Sequence, residues 1–255
     1  MLVKDISPDT RRKGEVDSAE GVAAISFGLP SIDRVLGGGL RRAALHEVFA
    51  MRGGDAPAAD GFALALMLRA ASARKIIWVR EQMAEREAGE LYPRGLAAFG
   101  GDPASIVVVR VRDALSALRA AHEALQCPAL GAVALGVCGA PKALDLTATR
   151  RLALAAEKSG VTAFLVRQAA EPMPSAAQTR WQVRARPSCA QDGAPGAAAF
   201  DITLMRHRAG LPVMSFCVEW DHDQCAFRGP AHTGAVATLA SRRPAAAFQP
   251  LRRAG

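Results

Sequence analysis

The sequence predicts an α/β fold in which helices cover a mainly parallel central sheet, with antiparallel strands added towards the C-terminus. Short apolar segments alternate with segments of helical periodicity between residues 44 and 167. Several segments, such as GAVALGVC at 131–138, are apolar without interruption, as in parallel strands that are buried on both faces. After residue 170, strand-like segments follow one another without helices, which indicates antiparallel pairing.

Apolar periodicity and capping residues place the elements of the parallel part. Ser31 is a plausible N-cap of a short first helix, which the glycine run 37–39 would end. Asp113 is the expected N-cap of a later helix, Gly160 ends another, and Pro93 breaks a third. We expect strands at 44–49, 75–80, 105–111, 131–138 and 161–167, and helices at 58–73, 84–100, 114–126 and 145–159.

The last third of the chain changes from strands to an aperiodic segment. Strands are expected at 179–186, 200–208 and 212–220, with a tight turn at 209–211. From Ala226 onward the chain has five arginines and no acidic residue. We therefore divide the chain into an N-terminal arm at 1–24, a core domain at 25–222 and a basic, mobile tail at 223–255.

The composition predicts an intracellular protein with a basic surface. The 255 residues carry a net charge of +8, and the five cysteines form no C-x-x-C pair, which is typical of a reduced cytoplasm. The N-terminus has no apolar signal core, and no apolar run reaches the roughly 18 residues that span a bilayer, so we expect a cytoplasmic protein. The positive charge attracts nucleic acid or acidic proteins, or it reflects codon bias; charge alone does not decide.

The segment MRGGDAPAADGFAL (51–64) has the setting of a phosphate-binding loop, because it joins a predicted strand to a predicted helix. A functional loop has the pattern G-x-x-x-x-G-K-[ST], whose lysine contacts the phosphates and whose hydroxyl holds Mg²⁺. With Gly54 as the first glycine, Ala59 replaces the second glycine, Asp60 the lysine and Gly61 the hydroxyl residue. Together with Gly53, these positions form a degenerate loop, and we expect no nucleotide cofactor.

The acidic residues of a hydrolytic site are also missing or isolated. An aspartate that holds a metal would follow the strand 131–138, but Gly139 stands there and the next acid is Asp145. Glu81 ends the strand 75–80, where an acid could activate water. Without a nucleotide, we favour the alternative that Glu81 is a solvated acid at a helix start. We therefore expect no catalytic residue, no metal and no enzymatic activity.

The order of these segments resembles the RecA superfamily. ISFGLPSIDRVLGGGL (25–40) is similar to the superfamily's entry motif, and IIWVRE, TAFLVRQ and TRWQV follow in the superfamily's order. LGGGL with LHEVF, the degenerate loop, TRW and the closing LMRHRAG and VEWD segments resemble the ImuA family more narrowly. The resemblance covers roughly residues 25–222 and depends on the order of several short motifs.

This resemblance implies a non-catalytic RecA-like accessory protein of a DNA-damage-inducible mutasome that supports error-prone translesion synthesis. The implied partner is an ImuB-like homologue of Y-family polymerases; RecA and an error-prone replicative-type DNA polymerase could join the assembly. RecA-type faces would also allow self-association. The counterparts of the DNA-gripping loops of RecA are short at 139–142, and lack Lys, Arg and aromatic residues at 169–178, which puts filament-type DNA binding in doubt.

Three other functions remain open. A RecA-superfamily ATPase with a rearranged loop would bind ATP with Mg²⁺. A SulA-like inhibitor of cell division would bind the division tubulin homologue, although it would not require the C-terminal strands and basic tail. A protein that binds DNA through its basic surface would lose affinity steeply with salt and show no sequence preference.

Two other pairs of residues have a structural and a functional interpretation. Trp78 and Trp181 could contact a partner, but tryptophan in a strand is usually part of the core. His222 and Cys225 in the segment WDHDQC could suggest a metal, but two ligands in one turn do not make a site.

Basic residues form two further candidate contacts. Arg110 and Arg112 follow an apolar strand and could receive an anion or a partner carboxylate, although a solvated sheet edge is the favoured interpretation. The tail segment SRRPAAAFQPLRRAG could fold on a partner through apolar anchors between arginines. The candidate partner-binding residues of the tail are Arg242, Arg243, Phe248, Leu251, Arg252 and Arg253.

Overall fold

A nine-stranded sheet organises the computed structural model, which describes residues 24–188 and 196–230. The strands are β1 (Ala24–Ile25), β2 (Leu40–Arg41), β3 (Leu45–Ala50), β4 (Lys75–Glu81), β5 (Ile106–Val111), β6 (Leu130–Cys138), β7 (Thr162–Gln168), β8 (Thr179–Arg186), β9 (Ala199–His207), β10 (Met214–Asp221) and β11 (Ala226–Arg228). The helices are α1 (Pro30–Val35), α2 (Ala56–Ala71), α3 (Gln82–Ala88), α4 (Pro93–Ala98), α5 (Ala114–Leu125) and α6 (Leu146–Ser159). Strands β1 and β2 form a separate antiparallel pair.

The sheet has the order β11-β10-β9-β8-β3-β7-β6-β4-β5. The strands from β8 to β5 run parallel to one another, and β9, β10 and β11 continue the sheet in antiparallel pairing. The predicted α/β fold, with its mainly parallel sheet and antiparallel extension, is confirmed. The predicted bounds of these main strands lie within two residues of the observed bounds.

The centre of the sheet is apolar because helices cover both of its faces. Every residue of β3 and β7 is buried, and in β6 only the last residue, Cys138, is partly exposed. A strand that is buried on both faces cannot alternate between apolar and polar residues. This explains why uninterrupted apolar runs identified these strands in the sequence.

Helix α2 covers one face of the sheet and is itself covered by aromatic rings. The ring centroids of Phe62 and Trp181 are 6.1 Å apart, and those of Phe62 and Phe227 are 5.4 Å apart. Trp78 and Trp181 are fully buried, as their strand positions predict. Aromatic pairs at these distances stabilise a core beyond the area that they bury.

Helices α5 and α6 cover the opposite face, and their predicted ends are confirmed. The Asp113 carboxylate accepts a hydrogen bond from the Ser116 N–H at 2.8 Å, and Asp145 caps α6 in the same way. Gly160 ends α6 with φ of +79°, a conformation that favours glycine. The helix predicted over 84–100 is interrupted before Pro93, so α3 and α4 are separate helices.

The first helix begins one residue earlier than Ser31. Leu29 is the N-cap and Pro30 occupies the first turn, where its fixed φ and missing N–H fit a helix start. Ser31 therefore lies inside α1, and the prediction that it caps the helix is wrong. The Asp33 carboxylate instead binds the preceding loop, because it accepts hydrogen bonds from the Ser26 hydroxyl and the Phe27 N–H, each at 2.7 Å.

The short strand β11 lies beyond residue 222, where the sequence analysis places the end of the core. Phe227 is 1 % exposed, and its N–H donates to the Phe27 carbonyl at 2.8 Å. The sheet therefore extends to Arg228, and its last strand is fixed by one aromatic side chain. Residues 1–23 and 231–255 lie outside the described residues, and with them most of the predicted arm and tail. No helix of the described ranges has the length and apolar character that a membrane span requires.

We predict that Gly131→Ala destabilises the protein by about 1–3 kcal/mol. A Cβ atom at Gly131 would lie 2.3 Å from the Ala71 Cα atom, so β6 and the end of α2 would have to separate. Gly54→Ala is the matched control, because a Cβ atom there meets no neighbour within 4 Å. Urea unfolding checks the difference; equal midpoints for the two variants would contradict this packing.

Candidate functional site

The degenerate phosphate loop is largely helical. Gly53–Asp55 form a single 3₁₀ turn, and α2 begins at Ala56, two residues before the predicted start. Ala59, Asp60 and Gly61 therefore belong to α2. Within a helix, backbone N–H groups beyond the first turn donate to carbonyls of the preceding turn. The N–H groups of these residues are consequently not arranged as a phosphate cradle.

Aromatic rings occupy the space beside Gly61. A Cβ atom at this position would lie 3.2 Å from Phe99 Cζ and 3.5 Å from the Phe200 ring. The adjoining cavity, which Asp60, Gly61 and Arg80 help to line, has a volume of about 190 Å³. Ligand pockets are typically about 300–1,000 Å³. The space beside this loop is therefore small for a nucleoside triphosphate.

Asp60 is the centre of a buried polar cluster that joins α2 to the ends of β4 and β7. Its carboxylate accepts hydrogen bonds at 3.1 Å from Arg80 Nη2 and at 3.1 Å from Gln168 Nε2. The same Arg80 nitrogen also donates to the Gly89 carbonyl at 3.0 Å. Arg80 is 2 % exposed and Asp60 7 % exposed. The charge at the lysine position of the loop is therefore neutralised inside the protein.

Burial dominates the protonation of Asp60. Desolvation raises the pKa of Asp60 to about 6, although Arg80 and Gln168 favour the ionised carboxylate. Within the described residues, Arg80 Nη1 and Gln168 Oε1 are buried and have no protein partner. The cluster therefore contains one carboxylate, one guanidinium and one amide, but no nucleophile paired with a base.

Glu81 follows directly after Arg80 and binds the neighbouring strand. Its carboxylate accepts a hydrogen bond from the Cys138 N–H at 3.1 Å, which connects the ends of β4 and β6. Glu81 is 8 % exposed and precedes α3 without capping it. The interpretation of Glu81 as a solvated acid is therefore wrong, because the closing strand ends bury it. Burial, Glu87 and Glu81 all raise the pKa of the Cys138 thiol.

A second buried ion pair lies on the opposite face of the sheet and was not identified from the sequence. Glu47 accepts from Arg180 Nε at 3.0 Å and from the Ser175 hydroxyl at 2.6 Å. The guanidinium groups of Arg167 and Arg180 each lie 5.5 Å from the Phe49 ring centroid. The available signal was Glu47 itself, because a charge inside an apolar strand requires a buried partner.

His46 belongs to a satisfied hydrogen-bond chain in the same strand. Its Nε2 lies 2.8 Å from the Arg41 carbonyl, which can only accept, so Nε2 carries the proton. Nδ1 then accepts from the Thr179 hydroxyl at 2.7 Å, and the Thr179 oxygen accepts from the Trp181 indole at 3.0 Å. Burial lowers the pKa of His46 to about 4, so the ring is neutral at physiological pH.

The remaining candidate residues are dispersed. Arg110 pairs with Glu85 at 2.8 Å and with Glu90 at 3.5 Å, so its charge is used within the protein. Arg112 is exposed at the sheet edge. His222 contacts Asp223 at 3.3 Å, and the described residues contain no group of three side chains that could hold a metal. The candidate residues of the tail, from Arg242 to Arg253, lie outside the described ranges.

We predict that Asp60→Asn gives a stability profile that rises with pH more steeply than that of the wild type. Between about pH 4 and 6, native Asp60 retains a proton that the unfolded chain has released, so its contribution to stability falls as pH rises. Native His46 excludes a proton that the unfolded chain binds below pH 6.5, so its contribution rises with pH. Each shift is worth about 3 kcal/mol, and the two largely cancel in the wild type.

Urea unfolding from pH 4 to pH 7 measures both profiles, and Asp55→Asn serves as a control that changes an exposed carboxyl at the start of the same helix. Removal of Asp60 should leave the His46 contribution uncompensated. Parallel profiles for the wild type and Asp60→Asn would contradict the raised pKa of Asp60.

Comparison with known proteins identifies the family. No protein-family profile matches the chain. It is 32 % identical over 208 residues to Protein ImuA of Caulobacter vibrioides strain NA1000 / CB15N, which covers 74 % of this chain and 80 % of that protein. Protein ImuA of strain ATCC 19089 / CIP 103742 / CB 15 matches with the same identity and coverage. The chain therefore belongs to the ImuA family.

Proposed function

We propose that this protein is a non-catalytic, RecA-like accessory protein of a DNA-damage mutasome and that it acts by binding an ImuB-type homologue of Y-family polymerases. Membership of the ImuA family supports the mutasome context. The RecA-like interpretation is supported by the order of elements, in which β3 leads through a short turn into α2 and parallel strands follow. RecA and an error-prone replicative-type polymerase are further proposed members of the assembly.

The single observation that supports a non-catalytic role best is the Asp60–Arg80 pair. A phosphate-binding loop has a lysine where this chain has an aspartate, and that aspartate is already paired at 3.1 Å. Two nearby unit charges interact by roughly 4 kcal/mol at an effective dielectric of 20. An incoming phosphate would meet this carboxylate, while the neighbouring guanidinium is engaged with Asp60 and the Gly89 carbonyl.

We predict that the protein does not bind ATP with Mg²⁺ and that Asp60→Lys with Gly61→Thr does not create an ATPase. The introduced lysine would face Arg80 without a carboxylate between the two charges, and the introduced threonine would collide with Phe99. The variant should therefore be less stable than the wild type, whereas Gly53→Lys with Gly54→Thr, in the exposed turn, should not be.

Titration calorimetry with ATP and Mg²⁺ measures binding, and phosphate release measures turnover, with an active P-loop ATPase as the positive control. Micromolar binding by the wild type would favour the ATPase alternative. Turnover by the Asp60→Lys, Gly61→Thr variant would show that the loop has been placed wrongly.

We predict that the tagged protein captures an ImuB-type polymerase homologue from cells treated with a DNA-damaging agent. Mass spectrometry of the captured proteins, compared with an untagged strain, identifies the partner. Capture of the division tubulin homologue without any polymerase homologue would favour the SulA-like alternative. Failure to capture either protein at several levels of damage would contradict the proposed partner.

A further inference from the structure

A continuous groove lies between the outer sides of α5 and α6, on the face of the sheet opposite α2. It consists of two adjoining cavities of about 510 and 600 Å³, and His122 and Arg151 line both. Leu115 at one end is 49 % exposed, and Leu154 at the other end is 55 % exposed. The groove therefore presents large apolar side chains to solvent along the length of two helices.

The charges of this groove are unbalanced. Arg119, Arg151 and Lys158 line it, and none of the three has an ion pair or side-chain hydrogen bond within the described residues. Of the two acids in the lining, Asp145 is occupied as the cap of α6, which leaves Glu123. By contrast, Arg41, Arg80, Arg110, Arg180, Arg186 and Arg228 all pair with carboxylates.

His122 adds a buried polar atom at the point where the two cavities meet. Its Nδ1 is inaccessible to solvent and has no hydrogen-bond partner among the described residues. Buried polar atoms are normally paired, so an unpaired atom beside a groove indicates a place where another group could bind.

The dimensions of the groove suit a helix. Helix α5 has 12 residues and α6 has 14, so the groove is roughly 18–21 Å long at 1.5 Å per residue. A helix of about three turns would fit between them. Amphipathic helices bind such grooves through apolar residues at positions i, i+3 or i+4, and i+7.

We propose that the α5–α6 groove binds an acidic amphipathic helix of the ImuB-type partner. The apolar side of that helix packs on Leu115 and Leu154, and its carboxylates pair with Arg119, Arg151 and Lys158. The identity of the partner depends on the proposed function, whereas the chemistry of the bound helix follows from the groove itself.

Two other occupants fit less well. A second copy of this chain carries a net charge of +8, so long-range repulsion opposes its approach to a basic groove. Single-stranded nucleic acid is usually held by stacking on aromatic side chains, and the groove lining, which lies within the described residues, contains no Phe, Tyr or Trp.

The test measures affinity for the purified partner, by biolayer interferometry, with variants of the full chain. The groove variant is Arg119→Glu with Arg151→Glu; neither side chain has an internal partner among the described residues, so we expect an unchanged fold. The matched control is Arg94→Glu with Arg208→Glu, which makes the same change in net charge at exposed positions outside the groove. We expect at least a tenfold (about 1.4 kcal/mol) loss of affinity for the groove variant only.

Photo-crosslinking gives a second, independent readout of position. Benzoylphenylalanine at Leu154 should crosslink to the partner, whereas the same group at Val213, which is 68 % exposed in the β9–β10 connection, should not. The crosslinked peptide of the partner should be acidic and helical in pattern.

Each outcome bears on one of the two proposals. If the wild type and both charge variants bind the partner equally, the groove proposal is wrong and the proposed function stands. If Phe248→Ser with Leu251→Ser abolishes binding while the groove variant does not, the tail is the contact instead. If the groove variant loses affinity for a single-stranded oligonucleotide but not for the partner, the groove binds nucleic acid. If the wild type does not bind the partner, both proposals fall.

Discussion

The fold depends on the burial of helix α2 from nearly every side. Its sequence carries only two charged residues, Asp60 and Arg69, among alanine, leucine, methionine and phenylalanine. The parallel sheet covers one side of this helix, but an apolar helix that also faced water would expose a large part of the core. The remaining elements of this face are arranged so that α2 is covered a second time.

The antiparallel extension and the N-terminal hairpin supply that second cover. Phe27 from the hairpin, Phe200 from β9 and Phe227 from β11 all surround Phe62 of α2. Arg69, near the end of the helix, donates to the carbonyls of Ser26 and Cys225, which joins the same two regions. Elements that are far apart in sequence therefore meet around one helix, and the short strand β11 belongs to the core for this reason.

Much of the fold could be predicted from the sequence because parallel strands leave a simple pattern. Uninterrupted apolar runs located β6 and β7, and Asp113 and Asp145 marked helix starts through a local rule. Strand β11 could not be found in this way, because three residues carry no periodicity and its place depends on Phe227 reaching the aromatic cluster. The sequence showed that Asp60 was wrong for a phosphate site, but not that it pairs with Arg80, because no local rule joins a helix residue to a strand twenty positions away.

The Asp60–Arg80 pair also constrains how this protein can change over time. Loss of one partner leaves the other charge buried alone, which typically costs about 3–5 kcal/mol, close to the whole stability of a marginal domain. Simultaneous replacement of both by apolar residues is often neutral. The two positions therefore form one evolutionary unit, and descendants of this chain should keep both charges or lose both. A lineage that adopted the pair would find the route back to a lysine at position 60 closed to single steps.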